Sequence, residues 1–180
     1  MSLSGLLNAL FFFIATLSVT SAATDYNTNA TVSNTVRYRA QQATPVDYHT
    51  AMLDAVNKER ITRGLPKLCM NKKLQNAALL HSMDMAKKGF LGHTGSDGST
   101  ISSRVKTAKY RWTYVAENVA AGQTTIANVV ASWMKSKGHR ANILSPKAKM
   151  FECGYAYSPS SKYKHYWTQS FASGKGETCN

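Results

Sequence analysis

The chain has 180 residues, 43% of them hydrophobic, with 22 Lys and Arg against 9 Asp and Glu and a formal net charge of +13. The basic residues are spread along the chain in nothing longer than pairs such as Lys72-Lys73 and Lys87-Lys88. With no basic motif interleaved with aromatics, nucleic acid is excluded as a partner, and the charge reads as a surface property that favours anionic membranes or cell walls.

In chain order, residues 6–19 are almost wholly apolar, carry Phe11, Phe12 and Phe13, and hold no charged residue. That run falls short of the ~20 residues that span a bilayer. Ser21, Ala22 and Ala23 follow, so residues 1–23 read as a secretory signal peptide cut after Ala22 or Ala23. About 157 residues remain, enough for one domain with a real core, and no later segment is apolar enough to span. The expected destination is therefore secreted and extracellular. Residues 24–44 are polar and read as a flexible lead-in, with a glycosylation sequon at Asn29-Ala30-Thr31.

Pro45 is placed to open a first helix carrying Tyr48, Met52 and Val56 on one face, with His49 on its surface, ended by Gly64 and Pro66. Asn71 is a cap for a second helix, whose apolar stripe is Leu74, Ala77, Ala78, His81 and Met85 and whose stop is Gly89. His81 on that stripe reads as a satisfied core histidine. A Gly/Ser/Thr/Asp loop covers residues 92–99, and a short helix follows over residues 101–105. Trp112, Tyr114 and Val115 then lead into Ala116-Glu117-Asn118. Thr124 or Thr125 caps a helix with Ile126, Val129, Val130 and Trp133 on one face, and Gly138 ends it, opening a loop over residues 138–146. Residues 150–157 and 163–171 read as strands joined by the turn Ser158-Pro159-Ser160-Ser161. Helices first and strands last give an α+β domain over residues 45–175, with residues 176–180 as a short tail.

Three cysteines, Cys69, Cys153 and Cys179, make one disulfide and one leftover thiol in an oxidising compartment. Their spacing leaves the pairing open and rules out a local metal knuckle. Chemistry is sought at His93 and His139, each directly after a glycine, and at Glu117, a carboxylate in the apolar run Val115-Ala116-Glu117-Asn118-Val119-Ala120. A carboxylate buried there needs a partner, and a histidine or a metal would serve. Two imidazoles and a carboxylate can bind a divalent ion with an open position, or form an acid/base cluster near neutral pH. The bland reading is that the pair only ties segments together. No HExxH helix, GxSxG elbow or phosphate-binding glycine loop is present, and Ser96, Ser99 and Ser102 near His93 form no legible triad. His165, inside the last strand, stays ambiguous.

Four segments carry a resemblance, in order: LDAVNKERITRGLPKL, HSMDMAKKGFLGHTGSDGST, AENVAAG, and SWMKSKGHRANIL followed by YWTQSFAS. Together they resemble the CAP superfamily of cysteine-rich secretory, antigen 5 and pathogenesis-related proteins, in its GHRANIL-type microbial or fungus-like branch. The resemblance implies a three-layer α-β-α sandwich with a central cleft. That cleft usually holds two histidines and two acids, and some members bind zinc or another divalent ion there. By motif the histidines are His93 and His139 and the first acid is Glu117. The second acid's place, three residues after Trp133, is taken by Ser136, which supplies no charge and is a poor zinc ligand. No cofactor is required by this pattern, and zinc is an optional occupant held by His93 and His139.

The resemblance implies as first expectation a non-enzymatic binder of sterol or another lipid, acting in defence, virulence or at a cell surface. A divalent-metal-dependent, peptidase-like hydrolase is the second reading, and a purely structural extracellular module the third.

Overall fold

A computed structural model describes residues 47–180. The expected signal peptide and lead-in, the Asn29 sequon and Pro45 lie outside the described residues. Helix α1 (Tyr48–Ile61) is capped by Asp47, whose side chain accepts from the His49 N–H at 3.1 Å. That bond meets one of the N–H groups that the first turn leaves unpaired. Strand β1 (Cys69–Met70) leads into α2 (Lys72–Lys88). Asn71 caps α2 by accepting from Lys73 and Leu74, and Gly89 closes it in the left-handed conformation at φ 71°.

Helix α3 (Ile101–Thr107) starts on a reciprocal capping box between Thr100 and Ser103. Strand β2 (Trp112–Ala121) takes in the whole of the run around Glu117. Thr125, rather than Thr124, caps α4 (Ile126–Lys135). The expected loop over residues 138–146 is in large part a helix, α5 (Lys137–Ile143). The break falls at Ser136, whose backbone is extended (φ −86°, ψ 126°), and α5 is pinned by the fully buried Ile143. Strands β3 (Met150–Tyr157) and β4 (His165–Gly174) form the expected hairpin, closed by the Ser158 N–H donating to the Lys164 carbonyl at 2.8 Å.

The four strands form one sheet in the order β1-β3-β4-β2, with β3-β4 and β4-β2 antiparallel and β1-β3 parallel. Helices cover both faces. Phe151, Cys153, Trp167 and Phe171 pack with Met52 and Val56 of α1, Val129 and Trp133 of α4, and Ile143 of α5. Met150 and Ala172 face Leu74 and Ala77 of α2 and Val105 of α3, while Ala156 and Tyr166 face Met85 and Ala86. The fold is the expected three-layer α-β-α arrangement. Gly154 sets the closeness of one layer, since a Cβ there would collide with the Ala78 carbonyl.

The disulfide joins Cys69 to Cys179 and leaves Cys153 free and buried. Residues 176–180 are held to the domain by it, by the Asn180 N–H donating to the Met70 carbonyl at 3.0 Å, and by Lys73 paired with Glu177 at 2.8 Å.

Candidate functional site

Strand β2 is a sheet edge, and its successive side chains point into different helical layers. Val115 and Val119 lie on the α2 side, and Ala116 and Ala120 on the α1 side. Glu117 therefore faces α2 and α3. Its side chain is 2% exposed, and the expected partner is present: His93 Nδ1 stands 3.0 Å from Oε1. The second partner was not legible in the sequence. Arg104 of α3, itself buried, donates from Nη2 to Glu117 Oε2 at 2.7 Å and to the His93 carbonyl at 3.0 Å, and from Nη1 to the Ser99 carbonyl at 2.9 Å. One guanidinium thus neutralises the carboxylate and fixes the loop that carries His93. The only sequence signal for it was the need of a buried carboxylate for a cation.

His139 arrives from the other layer. Asn142 of α5 donates to the Glu117 carbonyl at 3.1 Å and to Asn118 Oδ1 at 2.9 Å, and Asn118 donates to the His139 carbonyl at 3.1 Å. These amides clamp the GHRANI helix onto β2, so His93 and His139 approach across the sheet edge. Their electrostatics are opposed. The hydrogen bond to Glu117 raises the His93 pKa against a smaller loss from burial, while burial, and then the charge of His93, lowers that of His139. Ser136 sits at the α4–α5 junction, half-buried, with its backbone bonded to Trp133 and Arg140.

The donor set decides what a divalent ion could use. Both Glu117 oxygens are taken, one by a permanent cation, so Glu117 can orient His93 but is not free to ligate. The His93 side chain is 58% exposed, which leaves its Nε2 edge accessible. Glu117 is thus the outer group that holds the His93 ring, and His139 lies near enough to sense its charge.

The other histidines resolve differently. His81 is buried and its Nε2 bonds the Gly92 carbonyl at 2.9 Å, as a core histidine should, although its Nδ1 has no partner. His165 bonds the Tyr155 hydroxyl at 2.8 Å. His49 corrects the expectation of a surface residue: it is 7% exposed, because the first turn of α1 lies over β3, where Glu152 and Gln75 meet it. Cys153 stands beside His49 at 0% exposure, and burial drives its thiol pKa well up, so it is a buried thiol rather than a nucleophile.

Comparison with known proteins agrees with this architecture. The family model described as the Cysteine-rich secretory protein family, CAP, matches residues 53–171. The uncharacterized protein YkwD of Bacillus subtilis is 32% identical over 154 residues, covering 83% of this chain and 58% of its own length. Among solved structures, an extracellular protein containing a SCP domain from Bacillus anthracis superposes with a TM-score of 0.62 at 24% identity, over 71% of this chain and 40% of that one. An outer surface protein from Borrelia burgdorferi gives 0.64 at 16% identity, over 70% of this chain and 92% of that one. The likeness to both solved structures concerns the fold alone, and this chain spans little more than half the length of YkwD.

Proposed function

The chain belongs to the cysteine-rich secretory protein (CAP) family, and from that premise we propose that it is an exported, non-enzymatic binder of a sterol or another lipid, acting at a cell surface in defence or virulence. Export is supported by the apolar segment at residues 6–19, and no helix among the described residues is long and apolar enough to cross a membrane. The observation that carries lipid binding is a groove of about 630 Å³ between α1 and the β1 segment. Leu53, Ile61 and Met70 give it apolar walls, and the exposed Lys58 and Lys67 line it together with the exposed Asp54. Such a slot suits an amphiphile: the walls take an apolar body and the ammonium groups take an anionic or hydroxylated head. Ile61, 49% exposed, is the wall residue with most to gain from being covered.

A divalent ion such as zinc, if bound at His93 and His139, would supply Lewis acidity at the cleft. The protein's own contribution there is to hold His93 through Glu117 and to keep Glu117 neutralised through Arg104. A second reading, a hydrolase, draws on the opposed pKa shifts. A neutral His139 could take a proton from water and a protonated His93 could return one. The structural-module reading draws on the bonds by which Glu117 and Arg104 hold the loop that carries His93.

The readings separate in one experiment. The purified protein is incubated with labelled sterol and labelled fatty acid, and in parallel with a peptide library and zinc. Saturable lipid binding that survives His93→Ala with His139→Ala, and drops at least tenfold in Ile61→Asp, is the expected result. Peptide turnover lost in the double histidine variant would replace this reading with the hydrolase.

A further inference from the structure

His49, Glu152 and Cys153 bring an imidazole nitrogen, a carboxylate oxygen and a thiol sulfur within 4.8 Å of one another, all three buried. The cluster exists because β1 is short. It pairs with β3 only at Met150 and Phe151, so the edge of β3 is open at the next two residues and α1 closes over it. Neighbouring residues on a strand ordinarily point to opposite faces. Here the Glu152 carboxylate curls round the edge and accepts from the Cys153 N–H at 3.2 Å, which brings it to the side of the thiol.

From this geometry we propose that His49, Glu152 and Cys153 form a buried site for a borderline-soft divalent cation such as zinc, separate from the His93 and His139 cleft. His49 Nδ1 lies 3.0 Å from Glu152 Oε2 and 3.8 Å from Cys153 Sγ. A tetrahedral zinc ion with ordinary bond lengths separates nitrogen from oxygen by about 3.3 Å and nitrogen from sulfur by about 3.6 Å. The observed spacings lie within a few tenths of an ångström of both. Charge also balances. A thiolate, a carboxylate and a neutral imidazole cancel a divalent ion, as a site at 7%, 2% and 0% exposure requires. Three protein donors leave one position, which water completes.

Loading moves protons in a defined way. The thiol proton leaves to solvent as sulfur bonds the ion, and the neutral ring carries its one proton on Nε2 so that Nδ1 can ligate. Gln75 is the outer group that sets this tautomer. Its side-chain nitrogen lies 2.8 Å from His49 Nε2, an arrangement that puts the ring proton on Nδ1, toward Glu152. Rotating the amide by half a turn presents its oxygen to the Nε2–H and frees Nδ1 for the ion. The competing arrangement is a metal-free hydrogen-bonded cluster with the amide left as it stands.

Cobalt distinguishes the two. Cys69 and Cys179 are joined, so Cys153 is the only thiol able to give a thiolate-to-cobalt charge-transfer band. Metal-free protein titrated with Co²⁺ is expected to develop that near-ultraviolet band at one equivalent, and zinc is expected to abolish it. The band should persist in the His93→Ala, His139→Ala double variant and vanish in Cys153→Ser. No band in the unaltered protein, or a band surviving in Cys153→Ser, overturns the site. If Cys153→Ser fails to fold, His49→Gln decides, since it keeps the thiol: a loss of cobalt affinity of tenfold or more supports the site, and unchanged affinity overturns it.

Discussion

Glu117 is a carboxylate buried in a sheet strand, and the cleft is organised by how that charge is met. That it would be buried and need a partner is legible in its apolar neighbours. His93 is legible as a candidate too, but Arg104 is not, because an arginine in a short helix looks like any solvated cation until Val105 beside it docks against Leu74 and Ala77. The two cleft histidines should respond to pH in opposite senses. His93, with its folded pKa raised, contributes stability that is fully present below the unfolded value of about 6.5 and is lost as pH rises through its folded value. His139, with its folded pKa lowered, contributes stability present above that unfolded value and lost as pH falls through its folded one. Proton NMR titration of the imidazoles should place His93 above the ordinary range and His139 below it. In His93→Ala the His139 pKa should climb partway back, because one of its two depressing causes is the His93 charge; an unmoved His139 would show that the two rings do not sense each other.

At the scale of elements, the long helices are written in their own residues. Apolar stripes, the Asn71 cap and the Gly89 stop act within a few positions, so α2 is readable to its ends. Strand β2 is harder, because both its faces are covered and its burial does not alternate. Helix α5 escapes a reading of the sequence because Gly138 looks like a breaker. A Cβ at Gly138 would meet nothing within 4 Å, whereas one at Gly154 would collide with the Ala78 carbonyl and the Leu79 nitrogen. The two glycines should therefore behave oppositely on replacement. Gly154→Ala forces α2 off the sheet and should cost at least about 2 kcal/mol. Gly138→Ala should be neutral or stabilising by up to ~1 kcal/mol through helix propensity. Urea unfolding midpoints measured on both variants check the contrast.

Across the whole molecule, the Cys69–Cys179 bridge closes a span of 110 residues and ties the C-terminal segment to the shortest strand. Closing so long a loop restricts the unfolded chain strongly, so Cys69→Ser with Cys179→Ser should lose about 3–5 kcal/mol. Thermal melting of the oxidised protein against the double variant measures this, and equal melting temperatures would mean that the hydrogen bonds of residues 176–180 suffice alone. From its sequence by itself the chain determined the cap and stop of α2, its α+β class, its one disulfide and spare thiol, and the CAP pattern of His93, Glu117 and His139. All of these are written in short runs of residues, because caps, turns and apolar periods act over a single turn or strand. The tertiary structure alone decided that Arg104 meets Glu117 across 13 positions, that His49 meets Glu152 across 103, and which cysteines join. Those pairings depend on which face each strand presents and which layer covers it, and the packing of the helices on the sheet settles that.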